Sequence, residues 1–81
     1  MKFKINLKDI NGVKVFCPLV MNFESDMDLS IDRYTVDAKS LLGVLSLSVD
    51  RDLIMTVHEK VEGETFKIRD LMRDNGFLVL E

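Results

Sequence analysis

Ser40 follows Lys39 and opens the apolar run Leu41 to Leu47, which is interrupted only by Gly43 and Ser46. A serine in that place can cap a helix by accepting a backbone N–H, or it can take a phosphate. A phosphate there would face the helix N-terminus with Lys39 beside it. Asp9 has the same two uses: it can cap the apolar segment that follows, or its carboxylate can accept a phosphate covalently. Nothing near it in sequence is arranged to hold Mg²⁺. Glu24, Asp26 and Asp28 are two residues apart and so share one strand face. A hard cation needs six or more converging oxygens, so that face reads as a solvated one. His58 is the single histidine, next to Glu59, and reads as a surface residue at a strand end. Any nucleophile–histidine–carboxylate chemistry would have to converge on it. Cys17 is the single cysteine, which excludes an intramolecular disulfide and a thiolate zinc cluster. On an apolar stripe it reads as a small buried hydrophobe. These residues build no catalytic set, no metal site and no cofactor site, and the chain does not read as an enzyme.

The elements that would carry these residues follow from hydrophobic periodicity. Lys2 to Leu7 alternates, with Phe3, Ile5 and Leu7 on one side, which is a half-buried strand. Ile10, Val13, Cys17 and Val20, with Phe16 and Phe23 beside them, fall near one helical stripe behind Asp9. Pro18 conflicts with that helix and predicts a kink or two short pieces. Met27 to Ile31 and Arg33 to Val36 read as two strands joined at Asp32-Arg33, a connection without the glycine that tight hairpins prefer. Ser40 to Leu47 predicts a short helix, and Leu53 to His58 a further strand. Phe66 to Asp74 predicts a last helix, stopped at Gly76. Phe77 to Leu80 is an apolar tail with no evident role. The expected core comprises Phe3, Ile5, Met27, Leu29, Tyr34, Val36, Met55 and Val57. The order β-α-β-β-α-β-α makes a two-layer α+β sandwich, its antiparallel sheet covered by helices on one face.

Eighty-one residues suit one domain spanning positions 1–81. A net charge of −3 and a pI near 5.1 speak against a nucleic-acid partner. Met1 to Asp9 has no apolar h-region, and no stretch approaches the roughly 20 apolar residues of a membrane span. The expectation is a cytoplasmic protein without membrane insertion, and the single cysteine fits a reducing compartment.

The run Arg33 to Leu47 resembles the regulatory-serine region of HPr, the small phosphocarrier of the bacterial sugar phosphotransferase system. Its pattern there is V-N-x-K-S-I-M-G-V-M-S-L, matched by Val36, Lys39, Ser40, Gly43, Val44, Ser46 and Leu47. Upstream, Phe23 to Leu29 is similar to F-S-S-D-I-N-L, and Met55-Thr56-Val57 stands where the family has I-T-I. The match runs without a gap from Phe23 to His58. It implies an open-faced sandwich with sheet order 1-4-2-3 and three helices on one face. It also implies a regulatory phosphorylation site at Ser40 and a surface of Lys39, Leu42 and Leu45 that docks protein partners. The residues alone leave Leu42 and Leu45 open between core and docking.

HPr carries G-x-H-A-R-P at the start of its first helix, where the histidine accepts the phosphate. A gapless count back from Phe23 puts Asp9 at the histidine and Asn11 at the arginine, with Gly12 at the proline. A frame that instead places Gly12 on the motif's glycine puts Lys14 at the histidine. Asp9 and Asn11 thus mark a degenerate acceptor site. Loss of the histidine with retention of the serine is similar to the catabolite-repression branch of the family. The implied function is a regulatory or binding protein of carbohydrate uptake or catabolite control, with phosphotransferase or catabolite-control proteins as partners. Two alternatives remain: a phosphocarrier with a non-standard acceptor, and an interaction module unrelated to sugar transport.

Overall fold

The computed structural model describes residues 1–80. Its elements are β1 (Lys2–Ile5), α1 (Ile10–Val20), β2 (Asp26–Ile31), β3 (Tyr34–Asp37), α2 (Leu41–Leu45), β4 (Leu53–His58) and α3 (Glu64–Asp74). The four strands form one antiparallel sheet in the order β1-β4-β2-β3. This is the predicted α+β architecture. Alternation sets the faces: Ile5, Met27, Leu29, Leu53, Met55 and Val57 point into the core, where Val13, Phe16 and Val20 of α1, Val44 of α2, and Ile68 and Met72 of α3 meet them. Lys2, Asp26, Asp28, Ile54, Thr56 and His58 lie on the other, open face.

The structure corrects several expectations. Tyr34 belongs to the core-facing parity of β3, yet it is 66% exposed. It pairs with Ile31 at the tip of the β2–β3 hairpin, where no helix lies above the sheet. Phe3 and Val36 are half-buried, each on an outer strand and each lining a surface groove. β1 ends at Ile5, and Leu7 reaches the core from the connector, ahead of Lys8 at φ 73°. Pro18 lies inside one continuous helix. It stands in the last turn, where a single i→i−4 bond is lost. Ile10 is exposed, so the buried stripe of α1 is Val13, Phe16 and Val20, with Cys17 half-buried at its flank. α3 begins at Glu64, two residues before the expected start, and Phe66 faces solvent.

The apolar tail has a place. Gly76, at φ 76°, turns the chain after α3, and the Phe77 and Leu78 N–H groups both donate to the Met72 carbonyl (2.8 and 3.1 Å). Leu78 then bridges Ile5 antiparallel. The Asn6 N–H donates to the Phe77 carbonyl (2.8 Å), and the Val79 N–H to the Lys4 carbonyl (3.0 Å). Phe77 is buried against Phe16, with ring centroids 6.5 Å apart and planes at 72°, an edge-to-face arrangement.

Candidate functional site

Ser40 caps α2. Its backbone is extended (φ −94°, ψ 109°), and its Oγ accepts the Gly43 N–H at 3.2 Å. The helix that follows is barely more than one turn. Only Val44 is fully buried in it, and that anchor fixes which side chains face outward. Leu42 is 82% exposed, Leu41 50% and Leu45 41%. Gly43 lets the turn lie close to β3: a Cβ there would stand 3.3 Å from the Val36 Cβ and 3.2 Å from the Ser40 Oγ.

Lys39 is tied down on both sides. Its N–H donates to Asp37 Oδ1 (2.9 Å), and its ammonium donates to the Phe23 carbonyl at 2.6 Å. The charge therefore clamps the α1–β2 loop to the segment that carries Ser40.

At the start of α1, Asp9 is an N-cap in extended conformation (φ −156°) whose Oδ1 accepts the Gly12 N–H at 3.0 Å. Asp9 and Asn11 are both exposed. Gly12 is required here by close approach. A Cβ on it would stand 1.8 Å from the Leu7 carbonyl oxygen.

His58 lies at the far end of the sheet from this cap. β1 ends beside Leu53, whereas His58 pairs with Asp26 at the opposite end of β4. Its Nε2 contacts Asp28 Oδ2 at 2.8 Å on the exposed face. Lys60 pairs with Asp26 at 3.0 Å, and its hydrogen bond and charge hold the Asp26 carboxyl below its usual range. Glu24, Asp26 and Asp28 do not converge. Among the described residues no group of three or more His, Cys, Asp or Glu side chains is placed to hold a metal ion. Burial pushes the Cys17 thiol up, away from the thiolate that reactive cysteines need. No helix is long and apolar enough to cross a membrane among the described residues. A groove of about 690 Å³ runs along β1 past Phe3, Arg69 and the tail residues Leu78 to Leu80, and shares no residue with the Ser40 surface.

One polar cluster escaped the sequence reading. Ser25 is fully buried, and its N–H and hydroxyl both donate to Glu64 Oε1. Its Oγ in turn accepts the Lys60 N–H. Glu59 caps α3 by accepting the Thr65 N–H at 3.0 Å, in place of Gly63, which has no side chain to offer. The partners are far apart in sequence, and the capping glutamate sits outside the usual N-cap position. No local pattern announces either contact.

The sequence matches no family model and no curated protein. A solved structure does match: HPr-C-His from Thermoanaerobacter tengcongensis, with a TM-score of 0.75 and 23% identity over 93% of each chain. The chain has the HPr fold. The strand order 1-4-2-3, the three helices on one face and the positions of Ser40 and Asp9 at two helix starts therefore stand on an HPr-type scaffold.

Proposed function

We propose that this chain is a regulatory binding module of the HPr type, without the phosphocarrier histidine, acting in carbohydrate uptake or catabolite control in the cytoplasm. It docks protein partners through Leu42 and Leu45, with Lys39 at the border, and Ser40 is the regulatory phosphorylation site. One observation carries this reading: Leu42 is 82% exposed two residues after a capping serine. With Leu41 and Leu45 also exposed on the same short helix, it makes an apolar patch of the kind that marks a contact surface. The capping role of Asp9 supports the same reading, because the carboxylate at the degenerate acceptor position is already engaged with Gly12. No catalytic role is assigned to any residue.

The test uses purified components. An HPr-kinase-type enzyme should phosphorylate the wild type and not Ser40→Ala. Leu42→Asp should lose binding to a purified phosphotransferase or catabolite-control component while melting like the wild type. Ser40→Asp should also melt within a few degrees of wild type, because aspartate is itself a good cap, while its binding changes. Phosphate passed to the wild type from phosphoenolpyruvate through enzyme I, and lost in Asp9→Asn, would overturn the reading in favour of a phosphocarrier. Binding unchanged in both Leu42→Asp and Ser40→Asp would remove the docking surface.

A further inference from the structure

The sheet has two outer strands, and they are treated differently. β1 is bordered by the tail, through Leu78 against Ile5. β3, at the other end of the order, is open.

Which groups β3 presents follows from the ladder. Met27 and Ala38 face one another, and the Ala38 N–H donates to the Met27 carbonyl at 2.9 Å, so that pair is of the hydrogen-bonded kind. Main-chain groups alternate along an antiparallel strand. Val36 and Tyr34 therefore also turn toward β2, while the N–H and C=O of Thr35 and Asp37 point outward. The Asp37 carbonyl accepts the Ser40 N–H at 3.0 Å. Among the described residues, no loop, cap or side-chain hydrogen bond takes up those of Thr35.

The side chains along this edge are self-complementary. Asp37 faces Asp28 across the register, a like-charge pairing that is unfavourable. Neither Asp37 nor the exposed Arg33 has an ion-pair partner among the described residues. Tyr34 is exposed and sits beside a groove of about 190 Å³ whose lining includes Val36, Ser46, Leu47 and Arg51. Neither proline nor lysine interrupts Tyr34–Asp37, and its only charge is Asp37 at one end of a four-residue strand.

We infer that β3 pairs antiparallel with β3 of a second copy of this chain, about a two-fold axis through Thr35. In that register the unengaged groups of Thr35 meet those of the other copy's Thr35, and position 33 lies opposite position 37, whose N–H remains to donate although its carbonyl already accepts the Ser40 N–H. Each Arg33 then faces the Asp37 of the other copy, which gives that carboxylate a cation to set against Asp28. Each Tyr34 lies opposite the other copy's Val36, where its ring can enter the groove floored by Val36 and Leu47. The four-residue strand makes a small interface, so the dimer forms weakly and reversibly.

Sedimentation velocity from low micromolar to millimolar concentration should show a reversible monomer–dimer equilibrium. The Thr35 amide signal should shift and its hydrogen exchange should slow over the same range. Asp37→Arg should shift the equilibrium at least tenfold toward monomer, and Arg33→Asp with Asp37→Arg should restore it. Thr35→Pro removes an outward N–H and should give a monomer. Thermal melts show which variants are folded, and only those are compared. A wild type that stays monomeric at millimolar concentration overturns the inference. So does a dimer indifferent to both Asp37→Arg and Thr35→Pro, which would be built on another surface or with another strand. Failure of the double variant to restore dimerisation overturns the register.

Discussion

Glu64 Oε1 accepts two hydrogen bonds from Ser25, one from its N–H at 2.9 Å and one from its hydroxyl at 2.7 Å. The two residues are 39 positions apart, and the Ser25 oxygen passes the link on by accepting the Lys60 N–H at 2.9 Å. One carboxylate thus fastens the entrance of β2 to the first residue of α3. Ser25→Ala deletes the middle of that relay and leaves a buried carboxylate oxygen and an amide short of a partner. The expected loss is about 1–2 kcal/mol, read from urea unfolding at neutral pH.

The same cluster, with the Asp26–Lys60 pair beside it, should bear on stability in acid. Glu64 is held below its usual pKa, first by the Ser25 hydroxyl. Glu59 is lowered by the Thr65 N–H, and Asp26 by Lys60. A carboxyl whose folded pKa is depressed binds fewer protons than the unfolded chain does. Its stabilisation is complete above the unfolded value, about 4.3 for glutamate, and disappears as pH falls through the folded one. Stability should be flat from neutral pH down to about pH 5 and fall below about 4. Glu64→Gln should shallow that fall in pH-dependent melts. A slope unchanged in the variant would assign acid unfolding to other carboxyls.

Phe77→Ala should destabilise the protein by about 3–5 kcal/mol, because it empties a buried site beside Phe16. The loss should appear as a shift in denaturant midpoint. It should be accompanied by faster hydrogen exchange at Asn6 and Val79, whose amides bond across the β1–tail seam. An unchanged midpoint would mean that the tail lies on the core without contributing to it.

Gly12→Ala should cost several kcal/mol despite the high helix propensity of alanine. The added methyl would meet the Leu7 carbonyl at 1.8 Å, a main-chain atom that cannot rotate aside. A circular-dichroism melt decides it. A variant as stable as the wild type would show that α1 can lift from the β1 connector at little cost.

The strands were legible because a half-buried sheet writes its two faces into alternate residues. Leu53, Met55 and Val57 are all buried, as their spacing required. Tyr34 kept the right parity and the wrong environment, because parity gives the face of the sheet and not how far the helices extend over it. The Ser40 cap could be read from a serine ahead of an apolar run. Leu42 and Leu45 could not be placed, because α2 is too short to show a period and its rotation is fixed only by Val44 docking on the rest of the core. The Ser25–Glu64 bond and the Phe77–Phe16 contact join distant parts of the chain, and each half looks ordinary in its own neighbourhood.

The seam between β1 and the tail also bears on how the protein folds. β1 precedes the other six elements in sequence, but its neighbours in the sheet are β4 and the Phe77–Val79 segment. Neither pairing of β1 can therefore form until distant parts of the chain are present, whereas the β2–β3 hairpin joins strands that are neighbours in sequence. Until then Phe3 and Ile5 lie on a strand with both edges unpaired, the kind of surface that mispairs. Contacts of such long sequence separation slow folding, because the intervening loop must be closed before they form.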